Sequence, residues 1–187
     1  ETKVMDDSFP IEPFEKLGYS VEVYGQKSYN GVAIISKIKA ANVKKGFFGC
    51  KESDQNIEVF LDQKRLISAD INGIKIINVY VPNGSSLDSD KFTYKINWLN
   101  CLASFLDEQE KEGELICLMG DFNIAPTALD IHDPNKYEGV IMASEMERKA
   151  LNNVLKERLI DTFRIFEKNS GHWSWWDYRN NAYELNK

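Results

Sequence analysis

The dipeptide Asn72-Gly73 is the tightest local constraint in this chain. It lies between two strand-like runs, Arg65 to Asp70 and Ile74 to Val81. Asn-Gly supplies the positive φ that a two-residue hairpin turn asks of both central residues, so these runs are expected to pair antiparallel. A second hairpin precedes them: Val21 to Tyr24, a turn over Gly25 to Asn30, then Gly31 to Ser36. Two adjacent hairpins exclude the strict strand–helix alternation of a dinucleotide-binding fold, and neither Gly-x-Gly-x-x-Gly nor a Walker loop is present.

The remaining elements are helical or buried. Phe9 to Leu17 reads as a short helix, with Ser8 as cap, Pro10 in the first turn and Gly18 beyond the end. Phe92, Ile96, Leu99, Ala103 and Leu106 share one face of a helix over Asp90 to Lys111. Leu115 to Met119 is a continuous apolar run, the pattern of a strand covered on both faces. Ser144 and Glu147 form a capping box, with Leu151, Val154 and Leu155 as the buried stripe behind it. The polar stretch Lys37 to Gln63 is expected to hold one short strand near Ile57 to Leu61, and Leu159 to Arg164 a turn and a short extended piece. Hairpins and helices in this order predict an α/β (α+β) sandwich with largely antiparallel pairing.

With 43% apolar residues and no Pro- or Ser-rich linker or repeat, the 187 residues suit one domain, residues 1–187. No apolar run approaches the ~20 residues of a membrane span. Position 1 is Glu rather than an initiator Met, which implies a native start further upstream. Cys50, Cys101 and Cys117 have no metal-ligand spacing and suit a reducing compartment, with Cys117 expected to be buried. The net charge of −6 argues against broad electrostatic coating of DNA, because phosphate contacts favour basic surfaces. It leaves room for a small site in which a divalent cation screens carboxylates.

Four groups could carry chemistry. Gly120-Asp121-Phe122-Asn123 follows the apolar strand, where ligand sites collect in open α/β sheets. In an extended pair, Asp121 and Asn123 would point the same way, suited to a hard cation, a water and a phosphate oxygen. The same pair also reads as an Asx turn that ends a strand. Tyr80 closes its strand before Pro82-Asn83-Gly84 and could reach a phosphate from the rim that holds Asp121, or be an ordinary sheet-edge tyrosine. Glu1 in Glu1-Thr2-Lys3 has no meaning of its own. Trp173, Trp175 and Trp176, followed by Tyr178 and Arg179, could stack on bases or pack in a core. His132 and His172 lack partners at metal or triad spacing and read as structural or surface residues. The absence of Gly-x-Ser-x-Gly, His-Glu-x-x-His and Cys-x-x-Cys removes serine hydrolases, zincins and thiol redox enzymes.

Together these pieces resemble the exonuclease III-type apurinic/apyrimidinic endonucleases of the endonuclease/exonuclease/phosphatase superfamily. The matching blocks are Glu1-Thr2-Lys3-Val4 with Phe9-Pro10, Tyr29 to Ile34, Tyr80-Val81-Pro82-Asn83-Gly84, Gly120 to Pro126, Asp161 to Arg164 and Ser174 to Arg179. The resemblance implies a four-layer α/β sandwich with two facing mixed sheets flanked by helices. It implies Mg²⁺ (or Mn²⁺) held by Glu1, Asp121 and Asn123. In that scheme Tyr80 approaches the scissile phosphate, Asp121 positions or deprotonates the water, and Asn123 holds the phosphate. Arg65, Asn83, Gly84, Trp175, Trp176 and Arg179 contact the substrate.

The implied activity is cleavage of double-stranded DNA 5′ to abasic sites, with 3′-5′ exonuclease and 3′-phosphatase action. The implied protein is a monomer in a bacterial-type cytoplasm, at the nucleoid, with no membrane partner. The family also carries a strand with a functional Asn before the Glu block, and an Asp strand and a Ser-Asp-His motif after the Arg179 block. None lies within residues 1 to 187, so the resemblance implies a partial domain, incomplete at both ends and expected to be inactive, or nearly so, as an isolated chain. Two other functions remain open: a phosphatase or phosphodiesterase of the same superfamily acting on small-molecule or lipid phosphoesters, and a non-catalytic binding remnant. Trp176→Ala would separate the first of these by damaging abasic-DNA cleavage alone.

Overall fold

The computed structural model describes residues 1–48, 57–109, 114–176 and 181–186. They form two units, Glu1–Pro82 with Asn97–Asn123, and Asn83–Ile96 with Ile124–Lys187.

In the first unit a short helix, α1 (Ile11–Lys16), lies against β1 (Ser20–Tyr24), which pairs antiparallel with β2 (Val32–Ser36). The second sheet has the order β3 (Ala41–Lys45), β4 (Leu66–Ile71), β5 (Ile74–Tyr80), β6 (Leu115–Asp121). The turn between β4 and β5 forms as its sequence demands, with φ of 52° at Asn72 and 79° at Gly73. The β3–β4 and β4–β5 pairs are antiparallel, and β5 and β6 run parallel.

Alternation along the strands gives the second sheet two apolar faces. One buries Ile67 and Ala69 against Val32 and Ile34 of the hairpin, with Tyr24, Val43, Ile76 and Tyr80 at the margin. Asn78 Nδ2 also donates to Ala33 O across this interface, at 2.9 Å. The other face buries Leu66, Ile77 and Val79. In α3 (Asp90–Gln109), Trp98, Leu102 and Phe105 are fully buried, with Phe47 packed against Trp98 and Phe105. Helix, hairpin, sheet and helix thus form four layers, the two sheets facing one another.

Three expectations change in this unit. Residues Ile57–Leu61 form a helix, α2, rather than a strand. Phe60 is buried against Phe47 while Val59 and Leu61 are exposed, and a helix satisfies its backbone hydrogen bonds without a neighbouring strand. The polar stretch also hides β3. Its burial is low throughout, and its Lys44 and Lys45 suit an edge. Finally, β6 is not covered on both faces: Leu115 is 65% and Met119 43% exposed, and Cys117 is only half-buried. Among the described residues, β6 has β5 on one side alone. Cys50 lies outside the described residues.

Among its described residues, the second unit contains the start of α3 and the helices α4 (Pro134–Tyr137), α5 (Glu145–Leu155), α6 (Thr162–Phe166) and α7 (Ala182–Leu185). The capping box at α5 forms in both directions, Ser144 Oγ accepting from Glu147 N and the Glu147 carboxylate accepting from Ser144 N. Ala150, Leu151 and Val154 are buried behind it. The extended piece expected before Arg164 is instead α6, because Asp161 Oδ1 accepts the Arg164 N–H and nucleates a turn. No described helix is long and apolar enough to cross a membrane.

Candidate active site

The parallel pairing of β5 and β6 sets Tyr80 directly opposite Asp121, each the last residue of its strand. Carboxyl ends of parallel strands are where the backbone diverges and leaves space for ligands. A cavity of about 300 Å³ opens there, lined by Glu1, Phe9, Asn78, Tyr80, Gly120 and Asp121.

Glu1 reaches this cavity because its segment is strapped to the hairpin turn. Thr2 N–H donates to Gly31 O and Lys3 N–H to Asn30 O, while Glu1 Oε1 accepts the Asn30 N–H at 2.8 Å. Glu1 Oε2 faces the Lys3 ammonium at 3.3 Å, and the side chain is only 19% exposed. The Tyr80 phenol and the Glu1 carboxylate line the same cavity. Burial, and then the Glu1 charge, raises the Tyr80 pKa above its ordinary value against the opposing pull of Arg65. Tyr80 is therefore a neutral phenol at physiological pH, able to donate a hydrogen bond. Arg65 stacks over the Tyr80 ring, 4.7 Å from its centroid, and donates to Tyr80 O.

Asp121 and Asn123 do not extend side by side as their spacing suggested. Asp121 Oδ1 accepts the Asn123 N–H at 2.9 Å, φ at Asn123 is 49°, and Asn123 Nδ2 turns inward to Val81 O. The turn is an Asx turn, and it also leaves the Asp121 carboxylate on the cavity. The two readings of this dipeptide are compatible, because the local hydrogen bond occupies one carboxylate oxygen and aims the other.

A model of the endonuclease/exonuclease/phosphatase family matches residues 1–186. The chain belongs to that family. It is 32% identical to exodeoxyribonuclease III of Haemophilus influenzae over 199 residues, covering all of this chain and 72% of that protein. An AP endonuclease structure from Archaeoglobus fulgidus superposes with a TM-score of 0.88 at 34% identity, covering 100% of this chain and 69% of that one. A 3′ phosphatase from Neisseria, bound to a product DNA hairpin, superposes with a TM-score of 0.86 at 35% identity, covering 98% of this chain and 68% of that one. Within the family, the chain is a hydrolase of the exonuclease III and AP endonuclease type.

The other residues suggested by the resemblance to this endonuclease/exonuclease/phosphatase family fall in the second unit. Asn83 and Gly84 begin the loop before α3, where Asn83 Oδ1 accepts the Ser85 N–H and Ser89 Oγ donates to Gly84 O. Trp175 is 55% exposed, while Trp176 is half-buried edge-on to Tyr183. Arg179 lies outside the described residues, as does Tyr178. His172 Nε2 lies 3.4 Å from Glu167 Oε2 and is half-exposed, and His132 packs edge-on to Trp173. Sequence reasoning missed Lys95, which is fully buried and ion-paired to Glu147. One lysine on an amphipathic helix gives no sign of burial.

Proposed function

We propose that Glu1, Tyr80 and Asp121 form the phosphodiester-cleaving centre of a DNA-repair nuclease. Its reactions are incision 5′ to abasic sites and removal of 3′ nucleotides and 3′ phosphates, with Mg²⁺ (or Mn²⁺). The observation that carries this reading is the convergence of two carboxylates and a neutral phenol on one cavity at the ends of β5 and β6.

The donor set fits a magnesium-type ion. No three His, Cys, Asp or Glu side chains converge among the described residues, so no all-protein cage is offered. Mg²⁺ typically takes one or two carboxylates and keeps several waters, which Glu1 and Asp121 can supply on an open rim. Bound there, the cation would offset charge developing on the phosphate and on the leaving 3′ oxygen. Asp121 would orient the attacking water and take its proton. Tyr80 would donate its hydroxyl hydrogen to a non-bridging oxygen, with Arg65 fixing the ring and adding positive charge. Asn123 would act through the turn that aims Asp121. Asn83, Gly84, Trp175, Trp176 and Arg179 would contact the DNA.

The full-length gene product should nick a duplex bearing one abasic site when Mg²⁺ is present. EDTA should abolish nicking, and added Mg²⁺ or Mn²⁺ should restore it. Cleavage that persists in EDTA would remove the metal from the reaction. Trp175→Ala tests the substrate class. The exposed ring contributes little to packing, so folding should be unchanged. Lost base stacking should raise KM for DNA by about tenfold and leave hydrolysis of a small phosphodiester intact. Equal losses on both substrates would favour the small-molecule reading.

A further inference from the structure

Lys95 and Glu147 have no exposed side-chain surface, and Lys95 Nζ lies 2.5 Å from Glu147 Oε1. A buried ion pair is poor evidence for added stability, since desolvation offsets most of its attraction. Its bonds show another role. Lys95 Nζ also donates to Asn83 O at 3.1 Å. Glu147 Oε1 accepts Met142 N–H at 3.0 Å, and Glu147 Oε2 accepts Ser144 N–H and Ser144 Oγ–H. One ammonium and one carboxylate thus tie the start of the Asn83-Gly84 loop to the segment 142–144. Packing closes the same arrangement: a Cβ on Gly84 would come within 3.0 Å of Lys95 Cδ and of Ile141 Cδ1. The Asn83 amide meets Met142 Sδ at 3.8 Å.

We propose that Lys95, neutralised and aimed by Glu147, is a positioning residue for DNA binding that holds Asn83 in its productive place. The inference rests on Asn83 being a substrate contact. Lys95 does not touch the reacting atoms. Its influence passes through the Asn83 carbonyl, and it therefore acts on KM rather than kcat.

The test uses the full-length gene product with Mg²⁺ and an abasic-site duplex. Lys95→Met combined with Glu147→Gln removes both charges while the glutamine keeps a capping acceptor for Ser144. This variant should melt within about 5 °C of the parent. Its KM should rise about tenfold with kcat within about twofold. Asn83→Ala should raise KM by a similar factor, and all three substitutions together should add little to either effect, because both act through one contact. Lys95→Met alone is a second route to a folded variant, since Glu147 keeps three protein donors without Lys95, and it should show the same KM rise. A parental KM in a folded Lys95→Met variant, with Asn83→Ala impaired, overturns the positioning role. Effects that multiply in the combined variant overturn it too. A parental KM in Asn83→Ala overturns the substrate role of Asn83, and the inference with it.

Discussion

Asp121→Asn is expected to lower kcat for abasic-site cleavage by about a thousandfold, the scale of losing a general base. The substitution keeps the shape of the side chain and an oxygen able to accept the Asn123 N–H, so the Asx turn survives. The side chain is exposed, and the melting temperature should move by no more than about 3 °C. What is lost is the negative charge that can hold a hard cation and take a proton from water. Binding should respond in the opposite sense. Removing one anion from the rim of an acidic chain weakens repulsion of the phosphate, so affinity for uncleaved duplex should hold or improve. Single-turnover cleavage and equilibrium binding, measured on the same duplex, separate the two effects. A variant that cleaves within tenfold of the parent would remove Asp121 from the chemistry. A parallel loss of binding would make it a structural residue.

The elements that could be read from sequence were those decided by local interactions. Asn72-Gly73 forms its turn from the backbone preferences of two residues, and Ser144 and Glu147 close a cap within one helical turn. The helix over Asp90–Gln109 carries its face in its own periodicity. The failures came where distant parts decide. Ile57–Leu61 is short, apolar and β-branched enough for a strand, yet Phe60 meets Phe47 and, among the described residues, no strand pairs alongside. The strand Ala41–Lys45 is polar because it is an edge, so its pattern resembles that of a loop. Leu115 and Met119 looked like core from composition, but the exposure of a strand depends on what covers it.

The candidate site divides along the same line. Tyr80 and Asp121 could each be placed at a strand end, but their adjacency depends on a parallel pairing across some 40 residues of chain that no local pattern encodes. Glu1 gained meaning only from the resemblance. Its place at the cavity depends on the strap to Asn30 and Gly31. Lys95 left no trace because a single charged residue on an apolar helix face is indistinguishable from a solvated one until its partner, 52 positions away, is seen beside it. An acidic chain can belong to a DNA-processing family because the chemistry requires charge at one point, where Arg65 and a cation held by Glu1 and Asp121 would supply it.

Gly120→Ala should be the most damaging added methyl among the described glycines. Gly120 pairs with Val79 in the parallel ladder and has φ of 134°, a backbone that L side chains rarely adopt. A Cβ there would sit 1.9 Å from Val79 O, 2.8 Å from Val79 C and 2.9 Å from Asn78 Oδ1. Val79 cannot retreat: it is 1% exposed, the adjacent Asn78 is tied to Ala33 O, and Ile77 is fully buried. The strands must separate where Tyr80 and Asp121 meet. The expected loss is about 4 kcal/mol or more, which for a chain of this size lowers the melting temperature by roughly 10 °C. Gly139→Ala is the matched control, because Gly139 also has positive φ (79°) but nothing lies within 4 Å of a Cβ there. Backbone strain alone should lower stability by about 1 kcal/mol at that position. If the two variants melt together, the close approach of Gly120 to β5 is not what holds the strand ends in register. If Gly120→Ala melts far lower and the Gly139 variant does not, the glycine before Asp121 is required for packing, and the Asp121 carboxylate sits where that contact places it.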